Sequence, residues 1–151
     1  EAQNMVSYLA KGDSLQFGNG VVRAVGSVTG IKLPSGLVMR YEDLKGAQGE
    51  KGVEYTYQTR KGRTRLYGGK VIENVCQAVA RCIIGEQMLL IAKKYPPVLT
   101  VHDSIVACVP EKEVEEAQTY IEGCMRYVPT WAEGLPLDCE SGVAKSYGDC
   151  E

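Results

Sequence analysis

Pro97-Val-Leu-Thr-Val-His-Asp-Ser-Ile-Val-Ala-Cys-Val-Pro110 is the stretch whose reading decides the fold. Val98 to Val101 and Ile105 to Val109 are rich in β-branched residues, as buried or half-buried strands are. The polar triplet His102-Asp103-Ser104 sits where the two runs meet, and His102 is the chain's one histidine. Two strands joined so tightly form a hairpin, with a carboxylate held out at the edge of a sheet. Such a carboxylate suits a hard divalent cation, which prefers oxygen ligands. An aspartate capping its own backbone in the turn is the alternative.

Helical patterns flank this hairpin. Upstream, Lys70 to Lys94 carries Ile72, Val75, Cys76, Val79, Cys82, Ile83 and Leu90 at three- and four-residue steps, which predicts one apolar face. Glu73, Gln77 and Arg81 are spaced four apart on another face, beside Lys70 and Asn74. They form either a contact surface or a solvated stripe with i,i+4 pairing. Gly85 costs the helix about 1 kcal/mol against alanine and is expected to mark a close packing contact. Pro96 and Pro97 stop the helix. Downstream, a second helix is expected from Glu111 to Arg126, with Val114, Ala117, Ile121, Cys124 and Met125 as its core stripe. Glu111, Glu113, Glu115 and Glu116 crowd its first turns, where the helix dipole favours negative charge.

Further out, Ile31 to Tyr41 reads as strand, turn, strand around Pro34-Ser35-Gly36. Residues 45 to 52 read as a polar glycine-rich loop. Val53-Glu-Tyr-Thr-Tyr57 alternates at period two and leads to Arg60-Lys-Gly-Arg-Thr-Arg65, a second hairpin whose tip is basic. Leu135 to Tyr147 reads as an edge strand with a bulge or turn at Gly142. Residues 1–30 are poorly readable, apart from a short helix expected from Asn4 to Lys11. The fold class that follows is α+β: an antiparallel sheet with helices packed on one face, two hairpins, and a His-Asp hairpin between two long helices. The division expected is 1–30 as an N-terminal segment and 31–151 as the main domain.

Composition bounds the function. The chain has 151 residues and a net charge of −2, so no global basic field announces a nucleic-acid partner. The cations are clustered instead, at Arg60, Lys61, Arg63 and Arg65, with Lys70 close by. At the hairpin tip a solvated turn and a DNA-backbone contact are both open. The six cysteines form no CxxC pair, which with a single histidine argues against a structural zinc site. Cys76, Cys82, Cys108 and Cys124 are expected to be buried thiols of an intracellular protein. No signal peptide or membrane-spanning run is visible. The first residue is Glu1 and not methionine, so a fragment or a processed product is expected.

Four segments, in order, resemble phage-type family A DNA polymerases. They are Ile31-Lys-Leu-Pro-Ser-Gly36, Tyr67-Gly-Gly-Lys-Val-Ile-Glu-Asn-Val-Cys-Gln-Ala-Val-Ala-Arg81, the His102-Asp103 hairpin, and Trp131-Ala-Glu-Gly-Leu-Pro-Leu137 running into Glu140 to Tyr147. The resemblance covers residues 30 to 148 and implies the carboxy-terminal part of a palm domain. It implies that Asp103 is one of two palm aspartates holding catalytic Mg²⁺ and that His102 positions the primer terminus. It also implies that Gln77 contacts the template–primer minor groove, where acceptors are common to all base pairs. Arg81, Asn74, Glu73, Lys70, Arg60, Lys61, Arg63 and Arg65 are the further nucleic-acid candidates, and Glu140 aligns with a family glutamate.

Two departures stand out. Ser104 replaces the family's usual glutamate after the His-Asp pair. The second palm aspartate, the fingers helix, the thumb and an exonuclease segment are not found, so only one ligand of a two-metal site is evident. The expected function is therefore part of a template-dependent nucleotidyl transferase, inactive in isolation. Its expected partners are template–primer DNA, dNTPs and the remaining polymerase polypeptide (fingers, thumb and rest of the palm), with no membrane. Self-association when isolated and a host-cytoplasmic location are also expected. A non-catalytic nucleic-acid-binding remnant and an interaction subunit of a split polymerase are the alternatives.

Overall fold

The computed structural model describes residues 2–13, 15–17, 22–25, 29–50 and 52–150. Glu1, Lys51 and much of the glycine-punctuated stretch after Gly12 lie outside the described residues. The chain divides into two compact units, Glu1–Ala80 and Arg81–Glu151.

The N-terminal unit begins with helix α1, Ala2–Lys11. It ends as glycine-capped helices do: Gly12 adopts φ 80, its N–H donates to Leu9 O, and the Asp13 N–H reaches back to Tyr8 O. Strands β1 (Leu15–Phe17), β2 (Val22–Val25), β3 (Gly30–Lys32) and β4 (Val38–Arg40) follow as an antiparallel meander. The β3–β4 turn is the expected Pro34-Ser35-Gly36, closed by the Gly36 N–H donating to Leu33 O, with Gly36 at φ 88.

Strands β5 (Lys45–Gly49), β6 (Gly52–Thr59) and β7 (Gly62–Leu66) form a second antiparallel sheet. Residues 45–49 are thus a strand and not the expected loop. Their glycines answer to close cross-strand packing. A Cβ on Gly46 would lie 3.0 Å from the Tyr55 ring, and one on Gly49 would lie 2.9 Å from the Glu54 side chain. The sheet selects glycine where composition suggests a loop. Among the described residues, Met5, Val6, Leu9, Ile31, Leu33, Tyr41, Leu66 and Val71 are the unit's buried apolar side chains.

Helix α2, Gly68–Ile91, runs across the boundary between the units. Its buried positions are Val71, Cys82, Ile83, Gln87 and Ile91, whereas Ile72 and Cys76 are exposed and Val75, Val79 and Leu90 are half-buried. The expected apolar stripe is therefore only partly buried. Half-buried Asn74 and buried Gln87 each have a hydrogen-bond partner within their own unit. Nothing lies within 4 Å of where a Cβ on Gly85 would sit, so Gly85 marks no packing contact.

In the C-terminal unit the end of α2 is followed by β8 (Pro97–Val101), β9 (Ser104–Ala107) and helix α3 (Val114–Met125). A 3₁₀ turn, Glu111–Glu113, leads into α3. Ile91, Tyr95 and Ala117 form the core, with Ile105, Ala107, Val109, Tyr120, Ile121, Cys124 and Met125 packed against it. The Tyr120 hydroxyl donates to Leu90 O at 2.9 Å, and its ring meets Tyr95 edge-on at 5.9 Å. Gln87 Nε2 donates to Met125 O and Tyr127 O, which have no helical partner beyond the end of α3.

Two expectations fail in this unit. Leu135 to Tyr147 forms no strand. Side chains hold part of it instead: Arg126 reaches Asp138 and Cys139 O, and Gln118 Nε2 donates to Ser141 Oγ. Cys108 is also exposed, as is Cys76 in the other unit, so only Cys82 of the four expected thiols is fully buried. Among the described residues the ladders are three separate antiparallel sheets, where the sequence suggests one.

Candidate functional site

β8 and β9 pair antiparallel, with Val101 opposite Ser104, so His102-Asp103 is a two-residue hairpin turn. His102 takes φ 54, which makes it the first central residue of the kind of tight turn that usually places glycine there. Only a few per cent of non-glycine residues adopt positive φ, histidine more readily than most. A residue held there is a reason to ask what the tip does. His102, Asp103 and Ser104 are all exposed.

Asp103 forms no hydrogen bond or ion pair with the described residues, so the turn-capping alternative is not realised. Its carboxylate is unpaired among the described residues. Among the described residues, no cluster of three or more His, Cys, Asp or Glu side chains could hold a metal. Asp103 therefore belongs to no such cluster among them. The flanking strands also differ from expectation. Ile105 and Ala107 pack against the core and Val106 is half-buried, whereas Val98 and Leu99 are 60% and 44% exposed.

Along α2 the candidates separate by partner. Lys70 Nζ bonds both Glu73 carboxylate oxygens at 3.0 Å. That contact raises the Lys70 pKa. Asn74 Nδ2 donates to the Tyr41 hydroxyl at 3.3 Å. Tyr41 is buried against the edge of Tyr57, and burial pushes its hydroxyl pKa up. Asn74 thus has a structural partner within its own unit. Gln77 and Arg81 are exposed and unpaired among the described residues, so the i,i+4 stripe reduces to a Lys70–Glu73 pair.

The basic hairpin divides in the same way. Arg63 donates to Asp43 Oδ2 at 2.7 Å, to Asp43 O at 2.8 Å and to Thr56 O at 3.0 Å. Asp43 also takes Lys45 at 2.9 Å, and the two cations hold its carboxyl pKa below the usual range. Arg65 pairs with Glu54 across the sheet. Arg60 and Lys61 occupy the turn itself and form no ion pair with the described residues. Arg63 is committed to holding the sheet, whereas the tip is available. Sequence reading missed Asp43, since a partner twenty positions from Arg63 leaves no mark in local spacing.

No protein-family model matches the chain, and no solved structure matches it. The chain is similar to the DNA polymerase of Bacillus phage SP02, with 34% identity over 125 residues. That match takes in 78% of this chain but 19% of the polymerase, so the chain spans about a fifth of the length of the curated relative it matches. The chain is related in sequence to a phage DNA polymerase. Among the described residues, no helix is long and apolar enough to cross a membrane.

Proposed function

We propose that the chain is the carboxy-terminal palm segment of a family A DNA polymerase, taking part in template-dependent nucleotidyl transfer to a primer 3′ end. The observation that carries this reading is the similarity to the phage DNA polymerase over 125 residues. The unpaired Asp103 at a two-residue hairpin tip supports it. A polymerase needs a carboxylate in the open, on a rigid element, where a triphosphate and a primer can reach it.

Mg²⁺ bound by one or two carboxylates plus substrate phosphates is a common arrangement. Asp103 fits as one such ligand, and a single carboxylate is short of a two-metal site, so the remaining ligands come from another segment. When bound, the metal stabilises charge on the transferring phosphoryl group. In this proposal His102 orients the primer terminus and Gln77 donates to minor-groove acceptors. Arg81, Arg60 and Lys61 contact phosphates. The substrates are template–primer DNA and dNTPs, the partner is the rest of the polymerase, and the location is the host cytoplasm.

Primer extension with Mg²⁺ and dNTPs tests this, on the chain alone and mixed with the remaining polymerase polypeptide. Activity is expected only in the mixture and is lost in Asp103→Ala. A mixture indifferent to Asp103→Ala would refute the role of that carboxylate. A second reading, an interaction subunit without chemistry, is favoured by the exposed apolar side chains of Val98, Leu99 and Leu89. It predicts self-association of the isolated chain and no affinity for DNA.

A further inference from the structure

Strand β7 ends on Leu66, which is buried, and the next residue, Tyr67, is 56% exposed. Its ring edge lies against Gly69 in the first turn of α2. A Cβ on Gly69 would come within 3.2 Å of Tyr67 Cε2, so the absence of a side chain there lets the ring settle. The Tyr67 hydroxyl makes no hydrogen bond with the described residues, and its polar neighbour is the Lys70 ammonium.

Cations bracket this ring along the chain. Arg60 and Lys61 stand at the β6–β7 turn, Arg65 lies two residues before the tyrosine, and Lys70 lies three after it. The Arg65–Glu54 and Lys70–Glu73 pairs are solvent-exposed. Exposed pairs of this kind contribute little and exchange readily for another anion. β7, Gly62–Leu66, separates Lys61 from Tyr67, so at about 3.3 Å per residue the turn and the tyrosine stand roughly 20 Å apart.

We propose that β7 and the first turn of α2 bind unpaired DNA, with phosphates on Arg60, Lys61, Arg65 and Lys70 and one base stacked on Tyr67. A duplex offers phosphates and base edges but no free base face, so the exposed aromatic ring favours a single strand. Cationic tracks interleaved with aromatic platforms are how single strands are held without sequence preference. The inference rests on the polymerase reading given above and specifies the unpaired template as the occupant of this strip. Arg63 takes no part, because its guanidinium is committed to Asp43 and Thr56.

Fluorescence anisotropy on the full chain tests it, using labelled oligo(dT) of about 12 nucleotides and a duplex of equal length. Tyr67→Ala is expected to weaken oligo(dT) binding about tenfold while leaving duplex binding within about twofold. Tyr67→Phe should retain affinity, since stacking needs the ring and not the hydroxyl. Arg60→Ala with Lys61→Ala should flatten the salt dependence of oligo(dT) binding by about 1.4 in log–log slope, at about 0.7 for each single-strand phosphate contact. Oligo(dT) binding that is indifferent to Tyr67→Ala overturns the proposal. Duplex binding without oligo(dT) binding overturns it and leaves the polymerase reading standing. Binding of neither probe overturns this proposal and removes the support for the nucleic-acid contacts proposed above.

Discussion

Replacing Gln87 with methionine keeps the length and most of the volume of the side chain while deleting both of its hydrogen bonds. Gln87 is 2% exposed, and its Nε2 stands 2.5 Å from Met125 O and 3.2 Å from Tyr127 O. Each lost bond costs about 1 kcal/mol net, and a carbonyl left dry costs about 1–3 kcal/mol. The amide oxygen works in the opposite direction, because Gln87 Oε1 is buried without a partner and methionine removes that burden. Tyr127 is exposed, so water can take over its carbonyl and the dry-carbonyl term falls mainly on Met125. The balance is a loss of about 2–3 kcal/mol. For a unit of 60–100 residues that lowers Tm by roughly 10–20 °C. Gln87→Glu should be worse still, since it aims a carboxylate at two carbonyls. Urea unfolding followed by Trp131 fluorescence reads the C-terminal unit, because the Trp131 indole N–H donates to Glu86 at 2.7 Å. A Gln87→Met protein with an unchanged midpoint would refute the idea that this amide holds the end of α3.

Two further predictions concern stability and titration. Gly30→Ala should destabilise the N-terminal unit by about 1–3 kcal/mol, because the new Cβ would lie 2.6 Å from Val38 Cγ1 and 2.8 Å from Met39 O. Gly85→Ala should instead stabilise by about 0.5–1 kcal/mol, as it meets open space within a helix; thermal melts of the pair give opposite signs if the packing is right. The Asp138 carboxyl is lowered chiefly by Arg126, and that of Glu122 first by Ser141 and then by Arg126. Both carboxyls are depressed in the folded chain. Their contribution is therefore complete above the ordinary carboxylate pKa of about 4 and fades as pH falls through the lowered native values. In an NMR titration, Arg126→Ala should raise Asp138 part of the way, since the Cys139 N–H still lowers it, and should raise Glu122 part of the way too, since Ser141 remains; no movement of Asp138 would refute the pairing.

Turn chemistry and strong periodicity are what the sequence made legible. Gly36, Gly62 and the His102-Asp103 pair punctuate apolar runs, and a ladder closes on each side of all three. Ala117, Ile121, Cys124 and Met125 recur at helical spacing and pack where that spacing sends them. What escaped was set by partners distant in the chain. The glycines of β5 suggest a loop until Tyr55 and Glu54 are seen pressing on them. Gln87 and Asn74 are withdrawn from solvent, each within its own unit, because carbonyls and a phenol satisfy them, which hydrophobicity alone does not register. The segment after Leu135 alternates weakly enough to suggest a strand, yet Arg126 and Gln118 hold it by side chains, and a rigid ladder is not needed. At the candidate site, residue identities came from sequence, whereas the commitment of Arg63 and the freedom of Asp103 required coordinates.

A left-handed residue at the hairpin tip narrows what position 102 tolerates, independently of any chemistry the imidazole performs. Asparagine and glycine fit the φ of 54, whereas valine, isoleucine or threonine would strain the backbone or pull the turn open. Alanine removes the ring and also loses histidine's relative ease in that conformation, so an alanine scan there mixes two effects. His102→Asn separates them, because it keeps the turn and deletes the imidazole. Any drift at this position is thus filtered by backbone geometry, and that filter operates even in a chain that does no chemistry.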